Sequence, residues 1–423
     1  MLSKNTKLRW LDLPNHARPF GGQIVIDSLI DHGRDVTEFD GADNDAVILL
    51  SLYWCEDLYT WIKFAHRNHI DKRRVIIGGN HATGSPESVM PFCAGAYRGD
   101  ADEWDGIDES SIWTPSHSAS PFVSEAIPQR CITMEAKAVA KDSFVLMELS
   151  RGCKYKCHYC QYAWMKPYRE QSADWIIEQM KSMSGRCRLA SADIPQHTRS
   201  AEVEAAAIAN GIRIVNQDGA LFSVDANREE KLAKMQRFGV DGMSDRLRRF
   251  VRKPIKSDWL VDRIAKYSRS GVGRCLAYNL FGLPTETPDD FSEWDATVRR
   301  IVKAVEPPFT WVNSWNAFLP MPMTPLEHSP SSWRNDNRDL ARMADTRLWA
   351  KARGVNVFDM PERTGDRKIT ARMLAVRATE KSGHIVKTVA LDSKWDEWNV
   401  LREFRKREGY DLHAGPRNEG TDA

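Results

Sequence analysis

The sequence predicts an α/β protein: a doubly wound parallel sheet at the N-terminus, then a partial (β/α)6 barrel, then a C-terminal extension. Three observations carry this reading. Short apolar runs alternate with helix-periodic segments over the first hundred residues, and the alternation resumes behind a Ser- and Pro-rich stretch. The second series counts about six strand-helix units, short of the eight of a closed barrel.

In the first unit KLRWLDL (7–13) reads as a strand, GGQIVIDSLIDHG (21–33) as a helix stopped by Gly33, and AVILLSLYW (46–54) as a buried strand. EDLYTWIKFAHRNHI (56–70) has the amphipathic helical period, and RVIIGG (74–79) is a strand ending in glycines. Parallel sheets of this kind take ligands at the carboxyl ends of their strands, here near Asn15, Ser51 and Gly78-Gly79. Residues 1–106 are assigned to this unit. Residues 107–142 contain DESSIWTPSHSASPFVSEAIPQ and are expected to be a linker crossing the surface.

The second unit, 143–325, opens with the apolar strand SFVLMELS (143–150). Helix ADWIIEQMKSM, strand RCRLAS, helix AEVEAAAIANG and strand IRIVN follow. NREEKLAKMQRFG (227–239), SDWLVDRIAKYSRSG, RCLAYNLFG and DDFSEWDATVRRIVKAV continue the alternation of strand and helix up to FTWVNSWNAF. Residues 326–423 form the extension, expected to close the open side of the barrel. Its last 93 residues carry 19 Lys+Arg against 15 Asp+Glu, and REFRKREGYD reads as a solvated helix end.

A net charge of +2 gives no field that argues for a nucleic-acid or membrane partner. No apolar run reaches membrane length and the first residues lack a signal-peptide core, so a cytoplasmic protein is expected. Eight cysteines in 423 residues do not make a disulfide framework. Clustered thiols in a reducing compartment hold metal or do chemistry. The fifteen tryptophans are read as packing residues.

LSRGCKYKCHYCQYAW (149–164) places Cys153, Cys157 and Cys160 at the spacing C-x3-C-x2-C, directly after a strand. Thiolates select iron-sulfur clusters or zinc, and a structural zinc closes with four ligands. Three thiolates suggest instead a [4Fe-4S] cluster with one iron left open to bind a substrate or cofactor. A zinc knuckle using His158 as fourth ligand, or buried structural thiols, are the alternatives. Cys55, Cys93 and Cys131, each 38 residues apart, read as buried structural thiols, as do Cys187 and Cys275 in predicted strands.

This spacing resembles the radical S-adenosylmethionine (SAM) superfamily, in which the open iron chelates SAM. Reductive cleavage there gives a 5′-deoxyadenosyl radical that abstracts hydrogen from an unactivated carbon. The resemblance implies that Tyr159 lies by the adenine. GVDGMSDRLRRFVRKPI is similar to a family segment that helps hold the ribose and carboxylate of SAM, which points to Asp241, here in place of Glu, and Ser244. LFGLPTETPDDF resembles the turn after the fifth strand, so Gly282, Pro284 and Glu286 are expected to shape the SAM pocket. FLPMPMTPL resembles the Pro-rich turn after the sixth strand, and LASADIP offers Ser191 and Asp193 near the SAM amino group. An external electron donor of flavodoxin or ferredoxin type is implied as a partner.

VIIGGNHATGSPESVMPFCAGAYRGDADEW resembles the second half of the Rossmann-like cobalamin-binding domain that precedes many radical SAM domains, with Gly78-Gly79 and Gly99-Asp100-Ala101-Asp102 at the matching turns. The D-x-H-x-x-G motif for the lower cobalt ligand is not present; LPNHARPFGG supplies His16 without the flanking Asp and Gly. The domain is therefore read as degenerate, with cobalamin as a second possibility. Three functions follow. The first is rearrangement or C–H functionalisation of a small molecule or modified base, one instance being a phage-type isomerase of amino-acid-modified thymidine in DNA. The second is cobalamin-dependent methylation of carbon, and the third a non-catalytic iron-sulfur binding module.

Overall fold

The structure is a computed structural model and describes residues 2–13, 20–41, 45–114, 116–134, 144–183, 185–214, 235–253, 255–331, 343–360, 366–411 and 415–416. Asn15, His16 and most of the segment between the third and fourth barrel strands lie outside the described residues.

The first sheet contains β1 (Leu8–Leu11), β2 (Val36–Glu38), β3 (Val47–Ser51), β4 (Val75–Gly78), β5 (Gly95–Tyr97) and β6 (Ile112–Trp113) in the order β2-β1-β3-β4-β5-β6. The first five are parallel and β6 runs antiparallel to β5. This is the flavodoxin-like order, whose ligand crevice opens between β1 and β3. β3 and β4 are buried on both faces, which is why their sequences read as continuous apolar runs. Helices α1 (Phe20–Asp31) and α2 (Cys55–Arg67) cover the sheet. Two short helices, α3 (Gly79–Gly84) and α4 (Pro86–Val89), follow β4.

The second unit forms two four-stranded sheets. One has the order β12-β11-β8-β7, from β7 (Cys131–Met134), β8 (Phe144–Glu148), β11 (Arg186–Ala190) and β12 (Arg213–Ile214), and the pair β9 (Ser150–Arg151) and β10 (Arg169–Glu170) stands beside it. The other, β13 (Met235–Gly239), β14 (Arg274–Phe281), β15 (Phe309–Ala317) and β16 (Val355–Met360), is parallel throughout. Helices α5 (Gln161–Met165), α6 (Ala173–Ser182), α7 (Ser200–Ala209), α8 (Asp245–Phe250), α9 (Ser257–Arg269) and α10 (Pro288–Ala304) alternate with the strands, as a partial barrel requires.

The structure refines four points. NREEKLAKMQRFG ends in a strand: Met235–Gly239 pairs in register with Arg274–Tyr278, which completes the sheet, while 227–234 lie outside the described residues. β2 is an edge strand whose side chains are mostly exposed, so it carries no apolar run to read. The linker is not plain coil, since β6 and β7 add an antiparallel strand to each flanking sheet.

The extension, finally, divides its work. α11 (Met343–Lys351) and β16 lengthen the barrel sheet, whereas α12 (Asp366–Arg377), α13 (Gly383–Leu391) and α14 (Glu397–Glu408) pack on the first domain. Ile369, Met373, Leu374, Val386 and Phe404 share one core with Leu58, Trp61 and Val75, and Tyr59 donates a 2.6 Å hydrogen bond to the Ala371 carbonyl.

On the helix side of β15 the fully buried Asn313 side chain accepts from the indoles of Trp294 (3.2 Å) and Trp311 (2.8 Å) and donates to Asp359 (2.9 Å). These tryptophans are packing residues, as expected. Their N–H groups explain a buried amide in the core, since each needs an acceptor.

Candidate functional site

The cysteine loop begins where β8, flanked by β7 and β11, delivers the chain to the sheet's carboxyl edge. β9 pairs with β10 through Ser150–Glu170 and Arg151–Arg169, fixing the loop's base. Gly152 then turns with φ +74°, a conformation open to glycine. Cys160 ends the loop as the residue preceding α5. Its far side is tied to the rest of the barrel by backbone bonds: His158 N–H donates to Val251 (3.0 Å), and Leu326 N–H to His158 (3.4 Å). The Pro-rich turn that contains Leu326 thus closes over the loop.

Cys157 is buried and Cys153 and Cys160 are half-buried. Burial pushes the Cys157 thiol up to about 12, with Lys253 opposing and Asp241 adding to the rise. Burial also raises Cys160, against the Ala163 N–H facing its sulfur. Such thiols surrender their protons on binding metal, which couples loading to pH. Among the described residues no three His, Cys, Asp or Glu side chains converge on one point as a single ion requires, so the His158 zinc knuckle is not formed. A cube takes each thiolate on a separate iron and needs no such convergence. Three thiols on one loop, with no fourth protein ligand beside them among the described residues, fit a [4Fe-4S] cluster held by Cys153, Cys157 and Cys160.

Tyr159 packs against the barrel core. Burial raises its phenol well above the usual value, and the nearby Asp241 carboxylate raises it further. Asp241, itself at φ +60°, forms a buried 2.6 Å ion pair with Lys253. Burial alone would lower the lysine; the Asp241 charge more than offsets this and raises it. The carboxylate expected near the ribose therefore already holds a cation beside the cysteines. Ser244 is 1% exposed and caps α8 by accepting from Leu247 N–H (3.1 Å), while its hydroxyl donates to Asp290.

The Gly282–Glu286 turn lies against the same segment. Arg246 reaches the Thr285 carbonyl (2.7 Å) and hydroxyl (3.1 Å) and pairs with Asp290, joining the two stretches that the sequence singled out separately. Gly282 has φ +75°. Burial lifts the Glu286 carboxyl to about 7, with the Gly282 and Leu283 N–H groups partly offsetting it. Ser191 exchanges a 2.6 Å hydroxyl bond with Ser150 and accepts from Asp193 N–H. Asp193, 1% exposed, opens the turn that follows β11.

A cavity of about 630 Å³ lies between the carboxyl ends of the first sheet and the mouth of the barrel. Trp10, Tyr53, Trp54, Gly78 and Gly79 line one side, Leu146, Glu148, Arg188 and Ser191 the other. Gly79 has φ +91°, and a Cβ there would sit 2.5 Å from the Leu52 carbonyl, so packing within the first domain already requires this glycine. Along the cavity wall Arg151 pairs with Glu148 (2.6 Å), Asp100 (3.2 Å) and Asp102, while Lys166 (2.9 Å) and Arg169 (2.8 Å) also pair with Asp100. Three acids and three bases balance there, and they weld the Gly99–Asp102 turn to the cysteine loop. Sequence reading reached that turn but not its partners. It also missed Gln196, which no motif marks, and Lys253, which lies in the quoted segment GVDGMSDRLRRFVRKPI without being singled out.

Cys55, Cys93, Cys187 and Cys275 are buried, in keeping with structural thiols, whereas Cys131 is exposed. Among the described residues no helix is long and apolar enough to cross a membrane.

The Radical SAM superfamily matches residues 147–297. No curated protein matches the chain. Among solved structures, the radical S-adenosylmethionine methyltransferase TsrM from Kitasatospora setae, with cobalamin and a [4Fe-4S] cluster bound, is 14% identical over 76% of this chain and 77% of that one, with a TM-score of 0.53. The cobalamin-dependent S-adenosylmethionine radical enzyme OxsB is 13% identical, with a TM-score of 0.47; 72% of this chain matches 53% of that one, about half its length. Residues 147–297, the cysteine loop included, thus match the Radical SAM superfamily, and the fold of the chain resembles that of the cobalamin-binding methyltransferase TsrM.

Proposed function

We propose that this radical SAM enzyme functionalises or rearranges a C–H bond of a small molecule held in the cavity between its two domains. The supporting observation is that one cavity joins the ligand crevice of the first sheet to Glu148, Ser150 and Ser191 at the barrel's carboxyl edge, beside the cysteine loop. When bound, the cluster and SAM supply a 5′-deoxyadenosyl radical by one-electron cleavage of the sulfonium, the electron coming from an external donor. The chain does the rest. Cys153, Cys157 and Cys160 would hold the irons, and Tyr159 and the Gly282–Glu286 turn would contact the adenine and the rest of SAM. Trp10, Tyr53 and Trp54 give the cavity an aromatic wall against which a substrate would pack.

A second reading, methyl transfer to carbon with cobalamin in the same cavity, is favoured by the opening between β1 and β3 of a flavodoxin-ordered sheet. No histidine lines the cavity among the described residues, so any corrin there would bind without imidazole from them.

The test is anaerobic reconstitution with iron and sulfide, then dithionite and SAM, with 5′-deoxyadenosine and S-adenosylhomocysteine measured together. Deoxyadenosine alone, abolished in Cys157→Ala, supports the first reading. Both products, with corrin absorbance in protein from cobalamin-fed cells, support methyl transfer. Neither product from protein with a full complement of iron would overturn both and leave an iron-sulfur binding module.

A further inference from the structure

Gln196 lies in the turn after β11, 43 residues from the first cysteine, and is 6% exposed. Its Nε2 donates to the Cys153 sulfur at 3.2 Å. The orientation of the amide follows from its other end. Oε1 accepts the Lys154 backbone N–H at 2.7 Å, a donor that only an oxygen can meet, so the NH2 group must face the sulfur. The Gln196 carbonyl is held in turn by Lys154 Nζ at 2.6 Å, and that ammonium also pairs with Glu170 at 3.0 Å. The amide is thus fixed to the residue next to the ligand at both its backbone and its side chain.

We propose that Gln196 tunes the reduction potential of the cluster held by Cys153, Cys157 and Cys160, an inference that rests on the radical SAM reading of this loop. Reduction adds one electron, and part of that negative charge resides on the thiolate sulfurs. A fixed N–H donor stabilises the reduced form more than the oxidised one and raises the potential. The three sulfurs differ in their surroundings. Cys160 meets the backbone N–H of Ala163 and Cys157 lies 3.8 Å from the Arg252 carbonyl, whereas Cys153 has a side-chain amide. Gln196 is a positioning residue: it touches a ligand atom and not the substrate. Its donor can be removed by substitution, and its acceptor can be kept.

The experiment is an EPR-monitored redox titration of reconstituted wild-type, Gln196→Glu and Gln196→Leu proteins, with iron counted per chain. Gln196→Glu keeps the acceptor for Lys154 but turns a carboxylate oxygen toward the sulfur. It is expected to retain its iron and to lower the reduced fraction at a fixed potential by about tenfold, equivalent to about 59 mV for a one-electron couple. Gln196→Leu is expected to shift the same way by less. Unchanged potentials in both variants at full iron content would overturn the tuning role, and loss of the cluster from both would replace it with a purely structural one. Failure of the wild type itself to assemble a four-iron cluster would instead overturn the radical SAM reading of the loop.

Discussion

Arg151 and Asp102 form an ion pair that joins the cysteine loop to the first domain, with both side chains 6% exposed. Removing a buried cation that faces three carboxylates leaves uncompensated charge, a loss of about 3–5 kcal/mol. Arg151→Met is expected to lower unfolding stability by that amount in urea at pH 7. The acid side has a matching signature. Burial would raise the Asp100 carboxyl, but Lys166 and Arg151 outweigh it and hold the group below the usual range. A depressed folded value contributes stability that is complete above the unfolded value of about 3.9 and is lost as pH falls below it. Wild-type stability should therefore drop below about pH 4, and more gently in Arg151→Met.

Glu286 works in the opposite sense. Its folded value of about 7 lies above the usual carboxylate range, so the folded chain binds the proton more tightly than the unfolded chain. Stability is then greatest below the unfolded value and falls as pH rises through the folded one. After allowance for its partial exposure, the change is on the order of 2 kcal/mol between pH 5 and 8. Glu286→Gln should remove this slope and be the more stable protein at pH 8. Parallel denaturation curves at pH 5 and 8 check it, and equal slopes in both proteins would count against a raised Glu286.

The cysteine loop is legible in the sequence because its three cysteines lie within eight residues and follow an apolar strand. The parallel sheets are legible for a related reason: buried strands such as β3 and β4 are apolar on both faces and stand out from the helices beside them. What escapes is long-range. Gln196 meets Cys153 across 43 residues, and Lys253 reaches Asp241 from the end of a different turn, neither leaving a periodic trace. Short edge strands escape too, because two residues of β6 or β10 are set by their neighbours and not by their own propensity. The docking of α12 to α14 on the first domain is likewise invisible locally, since an amphipathic face does not name what covers it.

Thr285 holds φ +70°, a conformation that a β-branched residue adopts only under strain. Arg246 clamps both its carbonyl and its hydroxyl. Glycine at this position would release about 1–3 kcal/mol of backbone strain and forfeit one exposed side-chain hydrogen bond worth about 0.5–1.5 kcal/mol. Thr285→Gly is therefore expected to be neutral to stabilising by about 1 kcal/mol, while Arg246→Ala destabilises. Thermal unfolding of the two variants distinguishes a strained turn from a relaxed one, because a relaxed turn would lose stability in both.

Gly152 sits one residue before Cys153, and its space is as restricted as its backbone. A Cβ there would lie 2.3 Å from the Pro167 carbonyl oxygen and 2.8 Å from that of Lys166, at φ +74°. Those are backbone atoms of the segment leading into β10, which cannot rotate aside as a flexible side chain would. The substitution must therefore shift either the loop or β10, and β10 is held by its pairing with Ser150 and Arg151. The strain alone costs about 1–3 kcal/mol, and the displaced part is the one carrying Cys153. Gly152→Ala is expected to keep the far-ultraviolet circular dichroism of the wild type while its iron content after reconstitution falls well below four per chain. Full iron loading in this variant would mean that the loop tolerates a shift of its first cysteine, and that the three thiols are positioned chiefly from the His158 side.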